Sequence, residues 1–127
     1  MKKKNLLTLI GLLIASLIVS NPYIAIAKKD VKKPIIKLSN KKTVYKLDYG
    51  EYFSPPKATA VDNVDGKWTI KPIYKNNNGK TIKKIDATKP GKYKVIFIAV
   101  DKSKNKAKKT IEVQIKAIKS YDIKNIK

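Results

Sequence analysis

Apolar and polar residues alternate most cleanly over Lys92–Asp101, KYKVIFIAVD. Successive side chains of a strand point to opposite sides of a sheet. Tyr93, Val95, Phe97 and Ala99 therefore share one face, and Lys94, Ile96, Ile98 and Val100 the other. Apart from Lys94 both faces are apolar, which predicts a strand central in its sheet. Pro90-Gly91 turns the chain into it, and Asp101 opens the loop that ends it. Ala107–Lys116 repeats the alternation, with Ile111, Val113 and Ile115 against Thr110, Glu112 and Gln114. Lys67–Tyr74 puts Trp68 and Ile70 on one face. Lys57–Val61 offers Ala58 and Ala60, small residues that predict close packing beneath something bulky. Three shorter runs, Pro34–Leu38, Thr43–Leu47 and Thr81–Ile85, also read as strands.

The segments between these runs carry turn chemistry. Asp62-Asn63-Val64-Asp65-Gly66 is the strongest turn signal, Asn76–Gly79 marks a hairpin or wide turn, and Lys102–Lys106 is a polar loop. Asp48–Pro56 reads as a loop whose Tyr49, Tyr52 and Phe53 should pack against the body. No helical period of useful length follows residue 27. Seven short strands at roughly regular spacing predict an all-β antiparallel sandwich. Trp68, Ile70, Tyr93, Val95, Phe97, Ile111 and Val113 are the side chains expected between its sheets.

The pattern differs at the start of the chain. Lys2, Lys3 and Lys4 precede Leu6–Val19, 14 residues without charge, and Pro22 and Ala25-Ile26-Ala27 follow. This is the order of a secretory signal peptide, with cleavage expected after Ala27. The alternative is an uncleaved anchor, although the run falls short of the ~20 apolar residues of a spanning helix. The expected organisation is a signal peptide over 1–27, a charged leader over Lys28–Lys33, one domain over Pro34–Lys116 and a polar tail over Ala117–Lys127.

Composition then narrows the function. The chain has no cysteine, histidine or arginine. That excludes disulfides, thiolate or imidazole metal sites and a lipid-bearing cysteine, and it removes the commonest catalytic bases and nucleophiles. Most of the nine acids sit at predicted turns, where Asp bonds its own backbone. The expectation is a protein that is not an enzyme. All 30 basic residues are lysines, and 27 of them follow Ala27 together with all nine acids, a formal charge of +18. Solubility of a small domain needs roughly 2–8 net charges. Lysine is a hydrated point charge suited to diffuse attraction rather than forked recognition. Such charge also attracts nucleic acid without regard to sequence, but the export signal argues against a specific nucleic-acid role.

A set of short motifs resembles a known family. Pro34-Ile35-Ile36-Lys37-Leu38 is followed by Asp48-Tyr49-Gly50-Glu51-Tyr52, by Ala60-Val61-Asp62-Asn63-Val64-Asp65-Gly66 with Thr69, and by Pro90-Gly91-Lys92-Tyr93. Ala99-Val100-Asp101 with Asn105 and Ala107 completes the series. From about Pro34 to Lys116 the chain resembles the bacterial Ig-like domain of surface and secreted proteins, including repeats in some pesticidal crystal proteins. The family usually has glycine where this chain has Lys104. The resemblance implies an Ig-like sandwich in a non-catalytic extracellular role.

Two sets of residues are candidates for binding. Asp62, Asn63, Asp65 and Asp101 offer hard oxygen ligands in loops, as Ca²⁺ requires, provided that two strand ends meet at one end of the sandwich. The simpler account is that Asp62, Asn63 and Asp65 cap a tight turn and Asp101 starts a loop. Lys102, Lys104, Lys106 and Lys108 alternate, so an extended backbone would point them to one side, and Lys109 adds to that region. Lys28, Lys29, Lys32 and Lys33 form a second cluster. The expected function is an exported binding or adhesion module, secreted and retained at the cell wall. Its partner would be an anionic envelope polymer, a lipid surface or another surface protein. The alternative is a spacer domain with no ligand of its own.

Overall fold

The computed structural model of the chain describes residues 26–119. The expected signal segment, but for Ile26 and Ala27, lies outside the described residues, as does the tail beyond Lys119. Eight strands form two sheets: β1 (Ile35–Leu38), β2 (Val44–Leu47), β3 (Ala58–Asp62), β4 (Gly66–Ile70), β5 (Ile73–Lys75), β6 (Thr81–Ile82), β7 (Gly91–Val100) and β8 (Lys106–Ile115). The order is β1-β3-β4 in one sheet and β2-β8-β7-β5-β6 in the other. The described residues contain no helix and form an all-β sandwich of two sheets.

Two features depart from seven antiparallel strands. The expected strand Lys67–Tyr74 is two, because the chain leaves the three-stranded sheet after Ile70 and joins the five-stranded one at Ile73. Pro72 sits at the crossing, where its missing N–H breaks no ladder bond. The sandwich is also not wholly antiparallel. The link between β1 and β2 changes sheet rather than folding back within one, and β2 then runs parallel to β8, with Val44 opposite Glu112 and Leu47 opposite Ile115.

The long β7–β8 pair, in register from Gly91 opposite Ile115 to Val100 opposite Lys106, forms the middle of the larger sheet. Its inward residues Val95, Phe97, Ala99, Ile111, Val113 and Ile115 are buried. From the smaller sheet Ile36, Ala58, Ala60 and Ile70 close over them. Ala60 lies opposite Trp68, and Ala58 opposite Ile70, so the small residues of β3 do make room for bulky neighbours. Trp68 and Tyr93 are half-buried rather than enclosed. Trp68 sits on an edge strand with a neighbour on one side only. Tyr93 leads its ring out so that its hydroxyl can donate to the Lys89 carbonyl at 2.8 Å.

In the 48–56 loop only part of the expected packing occurs. Phe53 meets Tyr45 edge-to-face, ring centroids 5.3 Å apart. Tyr49 is exposed, and Tyr52 is 87% exposed. The second face of β7 also differs from expectation. The strand is central in its sheet, yet Ile98 and Val100 are exposed and only Ile96 is buried. The outer face of the five-stranded sheet has no layer above it among the described residues.

Candidate functional site

The turn after β3 brings the first acids into place. Asp62 Oδ1 accepts the backbone N–H groups of Val64 at 2.8 Å and Asp65 at 3.0 Å. Gly66 completes the turn at φ +78°, a left-handed conformation that side chains other than glycine resist. The N–H of Asp65, then that of Val64, holds the Asp62 carboxyl below its ordinary pKa, because both bonds favour the charged form. This much fulfils the turn-capping account.

Asp101 ends β7 in the same manner. Its Oδ1 accepts the Asn105 N–H at 2.8 Å, and its Oδ2 accepts the Asn105 side-chain amide at 2.8 Å. The same amide donates to the backbone carbonyl of Asp30 at 3.2 Å. The leader is thereby drawn onto the end of the sandwich, with Pro34 buried behind it. Asp30 Oδ1 accepts the Lys32 N–H at 3.0 Å.

One carboxylate oxygen from each of Asp30, Asp62 and Asp101 lies within 4.8 Å of the other two. Asp62 is 7% and Asp101 6% exposed. The second oxygens of Asp30 and Asp62 are buried and have no hydrogen-bond partner among the described residues. The ion pairs Lys89–Asp86, Lys102–Asp65 and Lys116–Asp48 do not involve this trio, although, beside the Asp65 and Val64 N–H groups, the Lys32 charge helps to hold the Asp62 carboxyl below its ordinary pKa.

The four residues expected to bind Ca²⁺ therefore divide. Asp62 and Asp101 do meet at one end of the sandwich. Asn63 is exposed at the turn. Asp65 is turned to another task. Its Oδ2 accepts the Lys102 N–H at 2.6 Å, and its Oδ1 lies 3.5 Å from the Lys102 ammonium, strapping the β3–β4 turn to the β7–β8 loop. Asp30 takes the vacated place. The sequence carries one signal for it: a single acid in the lysine-rich run Lys28–Lys33.

The lysine set is rearranged as well. Lys102 and Lys104 lie in a turn closed by the Lys104 N–H donating to the Asp101 carbonyl at 3.0 Å, so the alternation from Lys102 to Lys108 is not one extended face. Lys104 itself has φ +69°, a conformation that costs a non-glycine residue about 1–2 kcal/mol. Lys109 points inward between the sheets, and its ammonium reaches the Ile36 carbonyl at 3.5 Å. Its aliphatic stem lies along the core while its charge finds the opening, as long basic side chains do.

Lys106 and Lys108 do face outward, and they have company. In register with them on the same face are Lys92 and Lys94 of β7 and Lys46 of β2, all exposed, while Glu112 is the one acid on these strands. Ile98 and Val100 lie opposite Lys108 and Lys106. The face is thus a basic field with an apolar stripe. An open cleft elsewhere is bordered by Tyr52, Phe53, Tyr74, Glu51 and Asp86. Both its acids are engaged: Glu51 Oε2 accepts the Asp48 N–H at 2.8 Å, and Asp86 Oδ1 accepts the Thr88 hydroxyl at 2.7 Å. No family model matches the chain, and no curated protein does.

Proposed function

We propose that this protein is an exported, non-catalytic Ig-like module that binds anionic polymers of the cell envelope through the outer face of its five-stranded sheet. The observation that carries this reading is the alignment of Lys46, Lys92, Lys94, Lys106 and Lys108 on one face, which no other described residues cover, with a single acid among them. The inner side of these strands is the core, so lysines on them must lie outside; what marks the face is the balance of charge, five lysines against Glu112 alone. A flat array of ammonium groups attracts a polyanion over a distance set by the Debye length. The signal-like N-terminus supports export, and the two-sheet architecture and shared motifs support the Ig-like reading. The engaged acids of the open cleft, in a chain without histidine or cysteine, support a non-catalytic role.

Screening sets the test, since the Debye length falls from about 10 Å at 0.1 M salt to about 3 Å at 1 M. The protein is expected to sediment with isolated cell walls at low salt and to be released near 1 M. Walls stripped of anionic polymer should not retain it, and retention by anionic lipid vesicles instead would move the partner to the membrane surface. Protein that stays in the supernatant at low salt, as a spacer without a ligand would, contradicts the reading.

A further inference from the structure

We infer that Asp30, Asp62 and Asp101 form a Ca²⁺ site that clasps the leader to the end of the sandwich. Clustered acids alone would not suffice. The second observation is that Asp62, though more than nine-tenths buried, has an oxygen with no partner among the described residues, and Asp30 has another. Buried carboxylate oxygens are ordinarily hydrogen-bonded or bound to a cation. In a chain of 30 lysines none is paired with these three acids among the described residues. The charge of Lys32 reaches Asp62 through space, but no ion pair among the described residues joins an ammonium to the place where three of the nine acids converge.

The geometry suits one ion. Ca²⁺ holds oxygen ligands at 2.3–2.6 Å, so two ligands of one ion are at most about 5 Å apart. The carboxylate oxygens lie within 4.8 Å of one another. Each turn uses one oxygen of Asp30 and of Asp62 for backbone N–H groups and leaves the other over. The donors are all hard oxygens, with no nitrogen or sulfur, which disfavours zinc and copper. They come from three separate segments, which suits the irregular coordination of Ca²⁺ better than the strict octahedron of Mg²⁺. Affinity in the range of extracellular modules, a dissociation constant of about 0.1–1 mM, is expected for three carboxylates in a basic chain. The inference does not rest on the polyanion reading, since the trio lies off the lysine-bearing sheet face.

The test is thermal unfolding of the full chain, stripped with EDTA and returned to 10 mM Ca²⁺ or to NaCl of equal ionic strength. Ca²⁺ should raise Tm by about 5–15 °C over the NaCl control, and calorimetry should count one site per chain. Asp62→Asn keeps an oxygen for the Val64 and Asp65 N–H groups but replaces the orphaned one, so it should abolish the shift. Asp30→Asn, which leaves the carbonyl bonded to Asn105 unchanged, should do the same if Asp62→Asn folds poorly. Asp65→Asn, whose carboxylate serves Lys102, should retain the shift. A Ca²⁺ shift below about 1 °C, or one undiminished in Asp62→Asn and Asp30→Asn, overturns the site. An equal shift with Mg²⁺ overturns the assignment to Ca²⁺.

Discussion

Phe97→Ala is expected to destabilise the domain by about 3–5 kcal/mol. Phe97 is among the largest side chains with no exposed surface, and it sits on β7, the middle strand of the five-stranded sheet. Val95 and Ala99 flank it on the same face, and Ile111 and Val113 project from β8 into the same layer. The smaller sheet closes from above through Ile36, Ala60 and Ile70. Truncation to alanine removes a ring that no neighbour can replace without bending a strand paired with β8 along its whole length. The loss is a large share of the 5–15 kcal/mol that stabilises an ordinary domain. Urea unfolding with an unchanged m-value would measure it as a lower midpoint. A loss under about 1 kcal/mol would mean that the sheets do not meet at Phe97.

Ala60→Leu is the complementary test, because it adds volume where Phe97→Ala removes it. Ala60 has no exposed surface and stands between Ile36 on β1 and Trp68 on β4, in register with both. The methyl group fills the space these larger residues leave. Extra methylenes in a closed core force strained rotamers or backbone shifts that cost about 1–3 kcal/mol. Here the shift would have to part the two sheets, so the upper end is expected, with Trp68 fluorescence moving to longer wavelength as its ring is displaced. Ala60→Leu that left both stability and emission unaltered would contradict the close approach of β3 to the larger sheet.

Much of this core was legible in the alternation of β7 and β8 and in the small residues of β3. The inward set was identified there because one face of each strand is apolar over several positions. The split of β4 from β5 was hidden because Trp68, Ile70 and Tyr74 keep one parity across the crossing, all facing the core. The break is a matter of ladder bonding at Pro72, which hydropathy does not record. The parallel pairing of β2 with β8 was hidden for a related reason: local pattern says which residues are in a strand but not which strand lies beside it. Apolar residues at Ile98 and Val100 read as a buried face, though no second layer covers them among the described residues.

The acidic site shows the same limit. Asp62 and Asp101 were identifiable from their loops. Asp65 was grouped with Asp62 because it is near in sequence, while its carboxylate serves Lys102. Asp30 is distant in sequence from both its companions, and the bonds of the Asn105 amide tie it to Asp101. Among the lysines, Lys102, Lys104, Lys106 and Lys108 would share one side only on an extended backbone, and the turn at Asp101–Lys104 breaks that register.

The central claim, that one face of the sheet rather than total charge binds the polyanion, is tested by two variants of equal charge. One replaces Lys92, Lys94, Lys106 and Lys108 with Gln. The other replaces Lys37, Lys57, Lys67 and Lys71, which are exposed but lie off that face. Both lower the net charge by the same amount, and neither touches the buried core. The measurement is the fraction of each variant that sediments with cell walls as salt is raised. The account predicts that the face variant is released at much lower salt than the unaltered protein, while the off-face variant follows the unaltered curve closely. Equal release of the two variants would contradict it.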